Sequence, residues 1–167
     1  MSTLILNWLD EKVPGFRNLS DNEKSEIQNF TLLWSLFEGT KLNAKANVNR
    51  IRDFANNLEQ IGIIEHIDFD EYRDYLTNRY FDSERNDFSY HHSHLHLEKS
   101  GSPAEVDRML KGQKISKAEQ LIGCLAIVYR LRNNLFHGEK WAYELQDQYS
   151  NFFQANKLLM ILMDLPN

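Results

Sequence analysis

The sequence predicts an all-α fold. Apolar residues recur at helical spacing in most long segments, and capping boxes open two of them (Ser20 with Glu23, Ser116 with Glu119). Seven glycines and three prolines leave little turn material. Strand-like alternation hardly occurs. A chain of 167 residues with 42% apolar content is long enough for one domain with a sizeable core and short for two. Residues 1–167 are therefore expected to form a single compact bundle of four to five main helices, with an irregular insertion around 82–115.

The elements follow in order. Residues 3–12 make a short amphipathic helix closed by Pro14 and Gly15. Behind the Ser20 cap, Ile27, Phe30, Leu33, Trp34 and Phe37 keep the helical period up to Gly39. A third helix is expected from Ala44 to Ile61 and a fourth from Asp70 to Phe81. The insertion contains a short helix from Ala104 to Leu110 behind Pro103. From Ser116 a strong helix runs to His137, where Gly138 is a natural left-handed stop. The last helix covers Glu144 to Leu165, ahead of Pro166.

Composition narrows the classes of function. The single cysteine, Cys124, cannot form an intrachain disulfide and sits in an apolar run as a small hydrophobe, as suits a reducing compartment. No apolar run approaches membrane-spanning length, so a cytoplasmic, soluble protein with no membrane partner is expected. A net charge of −5 argues against nucleic-acid binding by bulk electrostatics. The average hides an asymmetry, because seven basic residues between Arg108 and Lys140 face two acids. That stretch reads either as an ordinary charged loop and helix or as a local anion-binding surface.

The helix from Ser116 carries the main anomaly. With Leu121 at zero and ~100° per residue, Leu125, Val128, Leu131, Leu135 and Phe136 define an apolar arc centred near ~10–20°. Arg132 falls at about 20°, inside that arc, whereas Arg130 lies near ~180° on the face expected to be outward. A guanidinium that stays protonated must be paired, line a polar cavity, or snorkel to water near the helix end. Glu38 sits at the edge of the apolar arc of the second helix, which invites a Glu38 to Arg132 pair. His137 is about 140° round the helix from Arg132, while Asn133 is its same-face neighbour four residues earlier.

The stretch "RNNLFH", from Arg132 through Asn133 to His137 and followed by Gly138, resembles the R-x(4–6)-H signature of HEPN domains. "LLWSLFEG" with Glu38 looks like the acidic element that many members carry on a helix packed beside the signature. The resemblance spans roughly residues 20–165. It implies a four- or five-helix bundle and metal-independent RNA cleavage by a prokaryotic toxin or anti-phage effector, with no cofactor. His137 would serve as acid or base, Arg132 as a phosphate clamp, Asn133 and Glu38 as orienting groups, and Arg130, Lys140 and Asn134 as RNA contacts. It also implies a homodimer that joins two signatures, and an antitoxin or sensor partner. In toxins whose antitoxin modifies a tyrosine, that tyrosine stands two residues beyond the histidine; here that position is Glu139, so this form of regulation is not implied. Members that only bind RNA or nucleotide, or that mediate assembly, give the alternative reading.

A second constellation is "YHHSHLHLE". His92, His94 and His96 alternate as on one side of an extended segment, and His92 and His96 would stack on a helix. They are weak candidates for a metal site, with Glu98 as the available carboxylate. A solvated or partner-facing loop is the other reading.

Overall fold

The computed structural model describes residues 3–136, 145 and 147–165. Among these residues the helices are α1 (Thr3–Lys12), α2 (Asp21–Lys41), α3 (Val48–Gln60), α4 (Asp70–Tyr80), α5 (Tyr90–Ser93), α6 (Ala104–Leu110), α7 (Lys117–Phe136) and α8 (Tyr149–Met163). A two-residue antiparallel pair, β1 (Phe81–Asp82) with β2 (Asp87–Phe88), follows α4. The all-α expectation holds. The expected stop at Gly138 and start at Glu144 lie outside the described residues.

Both capping boxes form. Glu23 N donates to Ser20 Oγ at 3.2 Å while Ser20 N donates to Glu23 Oε2 at 2.9 Å, and Ser116 with Glu119 repeats the exchange at 3.1 and 2.9 Å. Two orphan amides are thereby satisfied at each start. Helix α2 passes through Gly39 and stops two residues later, ahead of Asn43 and Ala44, whose φ angles are 53° and 54°. Helix α3 begins at Val48 rather than Ala44, because the Asn47 side chain caps it by accepting from Arg50 N at 3.0 Å.

One contiguous core runs from Phe16 to Leu162, and α7 passes through its middle. Every residue from Leu121 to Val128 is buried, so this helix is apolar all round, not striped. Helices α3 and α6 pack against α7, and α2 packs on α8 with the Phe30 and Phe152 rings 5.0 Å apart. The segment expected to be an irregular insertion is part of this core: Leu95, Leu97, Val106, Met109 and Leu110 are all buried. Its helix α6 is tied to α3 by Glu105, which accepts from Arg52 Nε at 2.8 Å and Nη2 at 3.0 Å. That bidentate contact holds the Glu105 carboxyl below the usual carboxylate range.

Where α6 crosses α7 the backbones approach closely at Gly123. A Cβ there would stand 3.0 Å from Met109 Sδ and 3.1 Å from the Glu105 carbonyl oxygen. The methionine can swing away, but the carbonyl belongs to helix backbone and cannot. Gly123→Ala is therefore expected to destabilise the fold by about 1–3 kcal/mol despite the better helix propensity of alanine. Urea denaturation would read this directly, and a variant as stable as the parent would show that the two helices can part without cost.

Candidate functional site

The last turn of α7 and the end of α2 bring Arg132 and Glu38 together. Arg132 Nη2 lies 3.7 Å from Glu38 Oε2, and Nη1 donates to Asn133 Oδ1 at 3.0 Å. The guanidinium carbon stands 5.0 Å from the centre of the Phe136 ring. The Arg132 side chain is 27% exposed, so it is neither sealed in the core nor free in water.

Glu38 is held more tightly than its partner. Trp34, one turn earlier on α2, donates its indole Nε1–H to Oε2 at 2.8 Å, and Ala46 N donates to Oε1 at 3.1 Å. The second donor depends on the sharp turn after α2, where the left-handed Asn43 and Ala44 fold the chain back. For Ala44 that conformation is strained by roughly 1–3 kcal/mol, a cost that tends to persist where a site needs the geometry. With both carboxylate oxygens fixed, Glu38 presents a fixed negative charge to Arg132.

Arg132 itself has unspent capacity. Of its five N–H donors, Nη1 is bonded to Asn133, the Glu38 contact is longer than a hydrogen bond, and Nε is buried with no hydrogen-bond partner. A guanidinium restrained on one side and under-used on the other is suited to receiving a second anion. Phe136, whose place in the apolar arc suggested burial, is instead 52% exposed beside it.

Arg130 is a correction. It was expected on an outward face as an RNA contact, yet it is only 4% exposed. Its Nε donates to the Leu95 carbonyl at 2.9 Å, Nη1 to Ser100 Oγ at 3.1 Å and Nη2 to Asn134 Oδ1 at 2.8 Å. The face of α7 opposite the presumed stripe is covered by the 95–100 segment, so no outward face exists there. Asn134 is engaged too, accepting from Arg130 and reaching the His94 carbonyl at 3.5 Å. Asn133 is buried, with its carbonyl oxygen turned to Arg132. His137 and Lys140 lie outside the described residues.

Among the described residues, Arg108 and Lys117 lie far from Arg132. Arg108 is paired with Glu119 at 2.7 Å and Lys117 donates to the Glu65 carbonyl at 3.0 Å, both at the start of α7. Arg132 stands 15 residues beyond Lys117, about 22 Å along the helix axis. The histidines likewise diverge. His92 stacks on Phe88 with ring centres 4.0 Å apart, His94 meets Tyr90 edge-on at 4.4 Å, and His96 Nδ1 faces Glu98 at 3.2 Å. A short helix followed by a turn replaces the extended segment that would have aligned them. Among the described residues no group of three or more metal-ligating side chains converges.

Sequence reasoning missed Trp34, Ala46 and Phe136 as parts of this site. Trp34 precedes Glu38 by four residues, a same-face spacing that was legible. The Ala46 amide depends on a turn with only a partial signature, since Asn43 favours the left-handed region but Ala44 does not. Among the described residues no helix is long and apolar enough to cross a membrane. Comparison with known protein families, with curated proteins and with solved structures finds no match.

Proposed function

We propose that the protein is a metal-independent endoribonuclease of the HEPN type, acting as a toxin or anti-phage effector. The observation that carries this reading is Arg132, restrained by Glu38 and Asn133 with donors to spare, five residues before His137 in the sequence. In this scheme a ribose 2′-OH loses its proton to His137 and attacks the adjacent phosphorus. The new bond closes a 2′,3′-cyclic phosphate as the bond to the 5′-oxygen breaks. That oxygen takes a proton from a second imidazole, the His137 of another copy of the chain. An imidazole with a pKa near ~6.5 suits both roles and contributes typically ~10²–10⁴-fold. Arg132 neutralises the charge that builds on the phosphoryl oxygens, and Glu38 keeps it aimed. Exposed apolar side chains on α2 (Leu32, Leu36) and α8 (Met160, Ile161) offer surface for the second copy.

The deciding experiment incubates purified protein with total RNA and with tRNA and maps the ends. Cleavage that leaves 2′,3′-cyclic phosphate and 5′-OH, persists in chelator, and fails when the 2′-OH at the cut is replaced by hydrogen is the expected result. Cutting of the deoxy substrate, or loss of activity on chelation, would sink the scheme. Binding without any cleavage would favour the RNA- or nucleotide-binding alternative.

A further inference from the structure

A cavity of about 320 Å³ opens between the end of α4, helix α5, the last turns of α7 and the start of α8. Its volume is near the lower end of the ~300–1,000 Å³ range of small-molecule pockets, enough for one nucleotide and too small for a folded oligomer. Leu131, Asn134 and Leu135 form its α7 wall. These residues bracket Arg132 within about 6 Å along the helix axis, so cavity and guanidinium occupy neighbouring faces of the same helix end.

The polar lining is of a particular kind. Arg79 Nη2 donates to the Asp147 carbonyl at 3.2 Å, while its Nε is buried with no hydrogen-bond partner. Tyr90 lines the cavity, is 76% exposed, and meets the His91 and His94 rings at steep angles, 6.0 and 4.4 Å away. Burial, followed by the nearby Arg79 and His94, holds His91 below the usual imidazole range, which keeps it neutral at pH 7 and able both to donate and to accept. Among the described residues Asp147 is the acidic residue of the lining, and a carboxylate is a natural acceptor for an exocyclic amino group. A guanidinium, an exposed ring and polar groups that can face a base edge around a one-nucleotide space are the elements of single-strand recognition.

We propose that this cavity is a base-reading subsite: it takes one unstacked nucleotide of single-stranded RNA beside the phosphodiester at Arg132, with the base against Tyr90 and its phosphate at Arg79. The proposal rests on the ribonuclease reading for its substrate. Its position makes the nucleotide flanking the cut the one that is selected, and Asp147 favours bases with an exocyclic amino group over uracil there.

The test uses the full chain, with Tyr90→Ala as the main variant because that side chain is largely exposed, and Arg79→Gln as the second. Two readouts are needed: a map of cut sites on total RNA, and affinity for short cytidine, adenosine and uridine oligoribonucleotides made uncleavable by 2′-deoxy substitution. Tyr90→Ala should weaken binding roughly tenfold and flatten the base preference beside the cut, since stacking on one aromatic ring carries that scale of effect. Arg132→Ala should slow cleavage by roughly 10²–10³-fold yet keep the ranking of the three oligomers. An unchanged cut map and unchanged affinities in Tyr90→Ala would overturn the subsite and leave the ribonuclease reading standing. A wild-type protein that cuts nothing but binds RNA in a Tyr90-dependent, base-selective way would overturn the ribonuclease reading and leave the subsite. Binding of free mononucleotides with no gain for oligomers would overturn the assignment to RNA.

Discussion

Arg132→Ala should lower RNA cleavage by roughly 10²–10³-fold, the scale seen when one preorganised transition-state donor is removed. The loss belongs in the chemical step, because the guanidinium is held by Glu38 and Asn133 before any substrate arrives. Arg132→Lys should recover little of it, since an ammonium is a point charge that cannot face two phosphoryl oxygens in a fixed plane. Glu38→Gln should cost less than Arg132→Ala: the amide keeps a carbonyl oxygen for one of the two donors but surrenders the charge that aims the arginine. Stability should fall by about 1–2 kcal/mol in Arg132→Ala, less than in Arg130→Ala: the partly exposed pair with Glu38 at 3.7 Å contributes ~0–1 kcal/mol, and the buried Asn133 Oδ1 loses one donor. The measurement is single-turnover cleavage beside a thermal melt of each variant. Cleavage within threefold of the parent in Arg132→Ala would remove the guanidinium from the mechanism.

Much of the helical order was written in local signals. Ser20 with Glu23 and Ser116 with Glu119 announce helix starts through contacts three residues apart, and those starts are where the structure has them. The approach of Glu38 to Arg132 was also legible, since two charges leaning into apolar arcs must find partners. What failed was the assumption that each helix has one buried face. The run from Leu121 to Val128 contains no charged residue, and such a run means a helix covered on all sides. Treating it as a stripe put Arg130 in water and made residues 82–115 an appendage. In fact the same segment that hides Arg130 supplies Leu95 and Leu97 to the core. Long-range coverage of that kind has no signature within one helix.

The misplacement of Arg130 yields the other large expected effect, this time on stability. Arg130→Ala should lower unfolding free energy by about 2–4 kcal/mol, because it strands the Leu95 carbonyl, Ser100 Oγ and Asn134 Oδ1 and leaves a void under the 95–100 segment. For a chain of this length that corresponds to a fall in Tm of roughly 5–15 °C. Arg130→Lys should lose most of the same amount, as one ammonium on a flexible stem cannot span three acceptors arranged for a planar fork. Activity per folded molecule should stay closer to the parent than in Arg132→Ala, and any remaining change should fall on base selection through Asn134, which lines the cavity. The two arginines, two residues apart, thus separate a stability defect from a catalytic one. A normal melt for Arg130→Ala would mean that the 95–100 segment is held by its apolar contacts alone. Equal catalytic loss from both variants with unchanged melts would mean that α7 attracts RNA by charge and positions nothing.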